Sequence, residues 1–233
     1  MTEPLWASGP AEILRHGIKL LKEDTDTSRR LAMISIDNSV ELIMQTYLQL
    51  PKRLSGIDLS RKQRNEYCEN FNTLLDGIEA TVGSETSGLN LGEIEWFHRL
   101  RNELYHQGNG LTIERLKVEA YAEIAKRLFE NLFGDGIEIQ SEETENMDLL
   151  GQFLAQWARL EAAMRKKTGS PHAVPLLGFH EIRDAGLITD AEFYRLKELK
   201  KIRDSLVHGQ TSPQRLLTDG LFTEMKKIVD KIA

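Results

Sequence analysis

Cysteine is almost missing from this chain. The one thiol, Cys68, excludes an internal disulfide framework and any zinc site built on cysteine ligands, and it suits a reducing compartment, most simply a cytoplasm. Long apolar runs are missing too. No stretch approaches the roughly 18 residues of a membrane span, so no membrane association is expected. Met1–Pro10 has no basic stretch followed by an apolar core, so no secretory leader is expected. Positive charge is not in excess: 30 Lys and Arg stand against 36 Asp and Glu, a net of −6. A general polyanion binder is thereby excluded, because neutralising phosphates is what supplies non-specific affinity. The deficit lies in one half. Residues 1–140 hold 16 basic and 22 acidic residues, whereas residues 141–233 hold 14 of each, so a local nucleic-acid contact is expected in the second half. There is no P-loop, no GxGxxG and no GxSxG. Alternating apolar and polar segments bounded by hairpin turns are lacking as well.

Helical periodicity fills the space that is left. Arg29–Leu50 reads as one long helix stopped by Pro51. Thr112 reads as a cap before the stripe Leu116, Ala120, Ile124, Leu128 and Leu132. Met147–Lys167 reads as another helix, ended by Gly169. Thr189 with Glu192 has capping-box spacing and opens a helix through Val207, and Ser212-Pro213 opens the last one. The acidic, glycine-containing stretch around 135–146 reads as a linker between a first domain (1–134) and a smaller second one (147–233). Loops are expected at Thr81–Leu91 and Ser170–Pro175. The fold class is all-α.

One element occurs twice. Residues 94–106 (IEWFHRLRNELYH) and 196–208 (LKELKKIRDSLVH) align at a shift of 102 positions. Phe97 then meets Leu199, Arg101 meets Arg203, Asn102 meets Asp204, Leu104 meets Leu206 and His106 meets His208. Phe97, Arg101 and Leu104 share one helix face, as do Leu199, Arg203 and Leu206, so each half sets an arginine inside an apolar stripe. A guanidinium there keeps its charge and needs an acceptor. Asp37 or Glu41, which interrupt the apolar Arg29–Leu50 helix, are candidate partners for Arg101, and Glu161 is the candidate for Arg203. Each histidine falls in the last helical turn, with Gly108 or Gly209 beyond it. A five-residue step turns about 140° around an ideal helix, so arginine and histidine on one helix converge only near its end or across an interface. His16, His98, His172 and His180 lack partners at metal-ligand spacing and read as surface or core residues; no metal and no cofactor are expected.

An apolar helix carrying Arg, a polar residue and then His resembles the HEPN superfamily, here as a tandem with RNELYH (101–106) and RDSLVH (203–208). The resemblance spans roughly 11–133 and 147–233 and is strongest at the two motifs. It implies two helical bundles packed as a pseudo-dimer, and metal-independent RNase activity at a composite Arg/His site. On that resemblance Arg101 and Arg203 hold the scissile phosphate, His106 and His208 move protons, and Asn102 and Asp204 orient them. Arg195, Lys197, Lys200 and Lys201 would guide the RNA backbone. The family setting implies a toxin or defence role, an antitoxin or regulatory protein as partner, and room for a homodimer. Some members of the family have a modifiable tyrosine two residues after the histidine; here Gly108 and Gln210 stand there. The alternative reading is a catalytically inactive module that binds nucleotide, RNA or a protein partner. On that reading buried arginine–carboxylate pairs tie helices together, and terminal histidines interact with helix dipoles.

Overall fold

The apolar stripes predicted above need partners, and helices packed on helices supply them. The computed structural model describes residues 5–82, 88–106, 111–134, 145–169 and 175–233, and among them every regular element is a helix. None of these helices is long and apolar enough to cross a membrane. The chain divides into two compact units, 1–140 and 141–233, and the division falls inside the predicted linker. Of that linker, 135–144 lies outside the described residues; its last two positions already belong to a helix.

The first unit contains α1 (Ser8–Leu20), α2 (Asp26–Gln49), α3 (Lys52–Ser55), α4 (Arg61–Tyr67), α5 (Phe71–Val82), α6 (Leu91–His106) and α7 (Arg115–Phe133). Helix α2 is its axis: α1, α5, α6 and α7 all pack on it. It contributes Ala32, Met33, Ile36, Val40, Ile43, Met44 and Leu48 to the core, all fully buried. The helix begins three residues before the predicted Arg29, because Thr25 caps it in a reciprocal exchange with Ser28. At the other end Leu50 turns extended ahead of Pro51, as a residue preceding proline must. Arg64 on α4 fastens that end by donating to the carbonyls of Leu48 (2.7 Å) and Leu50. Helix α7 starts at Arg115, not beside Thr112. Ile113 is buried in an extended segment, its carbonyl accepts from Arg29 Nε at 3.0 Å, and the chain becomes helical only past it.

The α1–α2 crossing depends on Gly17. A β-carbon there would lie 2.9 Å from Ile36 Cγ1 and 3.2 Å from the carbonyl oxygen of Ala32. Gly17→Ala therefore forces the two helices apart instead of adding helix propensity. The expected result is a loss of about 1–3 kcal/mol in urea unfolding, the ordinary cost of overpacking. A stabilised variant would show that the crossing has slack.

The second unit contains α8 (Glu145–Thr168), α9 (Pro175–Asp184), α10 (Asp190–Val207), α11 (Pro213–Leu216) and α12 (Asp219–Ile232). Helix α8 is the one the others gather on: α9, α11 and α12 pack against it, and α10 packs on α9. The Thr189–Glu192 box opens α10 as predicted. Its glutamate also pairs with Lys231 of α12 at 2.7 Å, and this bond holds its carboxyl below the usual range. Ser212-Pro213 opens only the single turn of α11. Leu217 is drawn into the core in an extended conformation, and Thr218 caps a separate final helix, α12. Of the loop predicted at Thr81–Leu91, Thr81 and Val82 end α5, Leu91 begins α6, and 83–87 lies outside the described residues, as does 170–174 of the loop predicted at Ser170–Pro175.

Candidate functional site

In the first unit the predicted face of α6 is the buried one. Phe97 and Leu104 enter the core, and Arg101 between them keeps only 19% of its side chain exposed. Its acceptor is Asp37 of α2, and not Glu41 one turn further on. Asp37 is fully buried, and its Oδ2 lies 3.1 Å from Arg101 Nε, a close ion pair in which the N–H is not aligned as a hydrogen bond. The rest of the guanidinium is held by amides: Nη2 donates to Asn38 Oδ1 at 2.6 Å and Nη1 to Asn102 Oδ1 at 2.9 Å. Asn102 thus braces the arginine. Glu41 instead accepts from Gln45 at 3.3 Å on its own helix.

Two residues join this cluster that the motif comparison passed over. His98 Nδ1 lies 2.9 Å from the same Asp37 Oδ2, and its ring stacks on Phe71 of α5 at 3.6 Å and 8°. Tyr121 of α7 donates its hydroxyl to Asp37 Oδ1 at 2.8 Å while its ring stacks on Phe97. Complete burial, followed by the Asp37 charge, pushes the Tyr121 phenol well above its ordinary pKa, so it stays a neutral donor. One carboxylate therefore collects an imidazole, a guanidinium and a phenol from two helices. The repeat had hidden His98, because the matching position in the second half is Lys200. A usable signal was present: His98 precedes Arg101 by three residues, which puts both on one helix surface within reach of one acceptor. Tyr121 sits beside the α7 stripe and reads from sequence as packing.

His106 stands apart from this cluster. It is exposed in the last turn of α6, its ring edge-on to Tyr105 at 5.4 Å, and Tyr105 in turn lies 5.8 Å from the Arg101 guanidinium. No hydrogen bond or ion pair joins His106 to Arg101 among the described residues. Gly108, expected to let the chain turn away, falls within 107–110, outside the described residues.

In the second unit α10 repeats the stripe. Leu199 and Leu206 are buried, and Arg203 between them keeps 7% of its side chain exposed. Its guanidinium lies over the ring of Trp157 at 5.9 Å and 3.6 Å from Asp204. Glu161 reaches the same tryptophan from the other side of the chemistry: it accepts the indole N–H at 2.6 Å and pairs with Arg165 at 3.6 Å. Arg203 and Glu161 thus both meet Trp157. Asp204 is held by Lys200 at 2.6 Å. His208 is the C-cap of α10, its own N–H bonded to the Asp204 carbonyl, and Gly209 turns the chain at φ +64. Among the residues predicted to guide a backbone, Arg195 is bidentate to Glu224 and also bonds Glu198, so it ties α10 to α12. Lys197 lies over Phe193 at 5.6 Å, Lys200 is the partner of Asp204, and Lys201 is exposed.

Among the described residues no three His, Cys, Asp or Glu side chains converge as metal ligands. No family model matches this chain, no curated protein matches it, and no solved structure matches it.

Proposed function

We propose that the chain is an endoribonuclease of the HEPN type that cleaves RNA without a metal ion. One observation carries the reading: each half sets an arginine, Arg203 buried and Arg101 largely covered, inside the apolar stripe of a helix that ends at a histidine, α6 with His106 and α10 with His208. Burying a guanidinium is costly, and doing so twice at matched positions suits a group kept for its charge and its planar donors.

The chemistry is phosphodiester transesterification. An imidazole takes the 2′-hydroxyl proton, the 2′ oxygen bonds to phosphorus, the bond to the 5′ oxygen breaks, and an imidazolium protonates that oxygen. His106 and His208 supply these transfers in this reading. Arg101 and Arg203 hold the non-bridging oxygens as charge builds on them. Asn102 steadies Arg101, and Asp204 faces Arg203 beside His208. The products are a 2′,3′-cyclic phosphate and a 5′-hydroxyl. A toxin or defence role in a cytoplasm, with an antitoxin or regulatory protein as partner and a homodimer as assembly, follows the same resemblance.

The second reading, a silent module that binds nucleotide, RNA or a protein, draws on Arg195 and Asp37, whose contacts are those of helix ties. One experiment separates the two. Pure protein is incubated with structured RNA in excess EDTA, beside Arg101→Ala and His208→Ala. Cleavage leaving cyclic phosphate ends, reduced roughly 100- to 1,000-fold in each variant, is the expected result. Intact RNA with folded wild-type protein overturns the ribonuclease reading and leaves the silent module.

A further inference from the structure

An imidazole that takes a proton needs three things: a fixed ring, a fixed tautomer and an outward nitrogen with a free lone pair. Among the described residues His106 has only the edge-on ring of Tyr105 beside it. His98 has contacts that serve all three. Phe71 lies flat against its ring and sets the plane. Asp37 is fully buried with its Oδ2 2.9 Å from Nδ1, where a carboxylate oxygen accepts from an Nδ1–H, and the tautomer that makes this bond carries its lone pair on Nε2. Nε2 has no partner among the described residues and is not one of the buried atoms left without one, so solvent reaches it; the side chain is 15% exposed.

We propose that His98, oriented by Asp37, is the group of the first unit that takes the 2′-hydroxyl proton. The proposal rests on the ribonuclease reading and moves the base role of the first unit from His106 to a residue outside both Arg–His motifs, leaving His106 as the acid. Its second support is the position of Arg101. The guanidinium shares Asp37 Oδ2 with the imidazole, so the two are neighbours across one oxygen. An arginine has five N–H donors. One faces Asp37, one goes to Asn38 and one to Asn102, which leaves two for an anion. In this proposal a phosphodiester seated on those two presents its ribose to Nε2. The charged and titratable groups gathered with the ring are Asp37 from α2, Arg101 from α6 and the neutral Tyr121 from α7; α5 presents Phe71. The step balances with the groups already assigned: His98 gains the proton of the 2′-hydroxyl, the 2′ oxygen bonds to phosphorus, and the departing 5′ oxygen takes a proton from the imidazolium of His106, which recovers it from His98 through solvent. The second unit has no counterpart, since Lys200 occupies the matching position and is paired with Asp204. The two halves therefore differ in chemistry despite the shared motif.

The test uses the whole chain, a cleavable RNA and the same oligonucleotide with 2′-deoxyribose, which binds but lacks the nucleophile. His98→Ala is expected to lower cleavage about 100-fold or more, to leave affinity for the deoxy oligonucleotide within about twofold, and to regain part of its activity with added imidazole. In wild type, nitrogen-15 spectra are expected to show His98 protonated on Nδ1, with the Nε2 signal moving as the deoxy oligonucleotide is added. Wild-type cleavage that His98→Ala matches overturns the role of His98 and leaves the ribonuclease reading standing. An Nε2 signal that stays still while Arg101 signals move does the same, and it decides the matter if the variant does not fold. RNA left uncut by wild type removes the ribonuclease reading and this role with it.

Discussion

Replacing Asp37 with alanine is expected to destabilise the first unit by about 3–5 kcal/mol, the cost of removing one partner from a buried charge pair. The carboxylate is fully buried and receives Tyr121 OH at 2.8 Å, His98 Nδ1 at 2.9 Å and Arg101 Nε at 3.1 Å. Alanine leaves the Tyr121 hydroxyl in the interior without an acceptor and strips the Arg101 guanidinium of its counter-charge, with only the amide oxygens of Asn38 and Asn102 left to it. The three donors come from α6 and α7 and the acceptor from α2, so one substitution loosens two helix contacts at once. Hydrogen exchange at the amides of α2, α6 and α7 measures the loss within this unit alone, which matters in a chain of two units where a single unfolding midpoint is ill defined. Asp37→Asn keeps the shape and one acceptor oxygen and is expected to lose less. If alanine costs under about 1 kcal/mol, Asp37 is not the tie that its burial and contacts describe.

That same carboxylate shows how much of the site is legible in the sequence. A short acid inside an apolar helix is conspicuous, and an arginine inside an apolar stripe demands an acceptor, so a partner on α2 followed from desolvation, but the sequence left Asp37 and Glu41 equal and only the structure gives Asp37. Periodicity carried the helices in the same way, because burial of a stripe is a long-range consequence of a local pattern. Element ends were less legible. Thr25 capped α2 through Ser28, a partner outside the usual acidic or amide pairing, while Thr112 had cap chemistry but sat next to an Ile113 that the core took into an extended segment. Ser212-Pro213 had the right residues for a helix start, yet Leu217 was worth more to the core in an extended turn than in a continuous helix.

The site divides along a similar line. Residues repeated between the halves were visible, since repetition is a sequence property. Residues that act in one half only were not. His98 has lysine at its counterpart, and Tyr121 belongs to a helix whose apolar pattern accounts for it without a polar role. Their contacts depend on α5 bringing Phe71 against the His98 ring, and on α7 bringing a hydroxyl to an acid on α2. Neither approach is encoded at any fixed spacing. Glu161 shows the complementary case: the need for acids near Arg203 pointed to it, but its oxygen at 2.6 Å is spent on the indole N–H of Trp157, and the tryptophan, not a short spacing in the chain, links the two.

Trp157 is accordingly the position in the second unit where a change should cost most. It is fully buried on α8, with Phe153 at 6.3 Å and Phe179 at 6.2 Å around it. Trp157→Ala removes the largest side chain of this core and is expected to cost about 3–5 kcal/mol. Two polar consequences add to the cavity. Glu161 loses its indole donor and keeps Arg165 at 3.6 Å, and Arg203 loses the aromatic face beneath its charge. Trp157→Phe separates these effects, because it keeps an apolar ring under Arg203 and removes the N–H. Its loss is expected to be about 1–3 kcal/mol, the cost of a buried acceptor deprived of its donor plus a small void. The measurement is hydrogen exchange at α8 and α10 amides. If phenylalanine costs as much as alanine, the Glu161 bond carries the site and the ring does not; if it costs nothing, the contact of Arg203 with the ring is what holds α10 to its place in this unit.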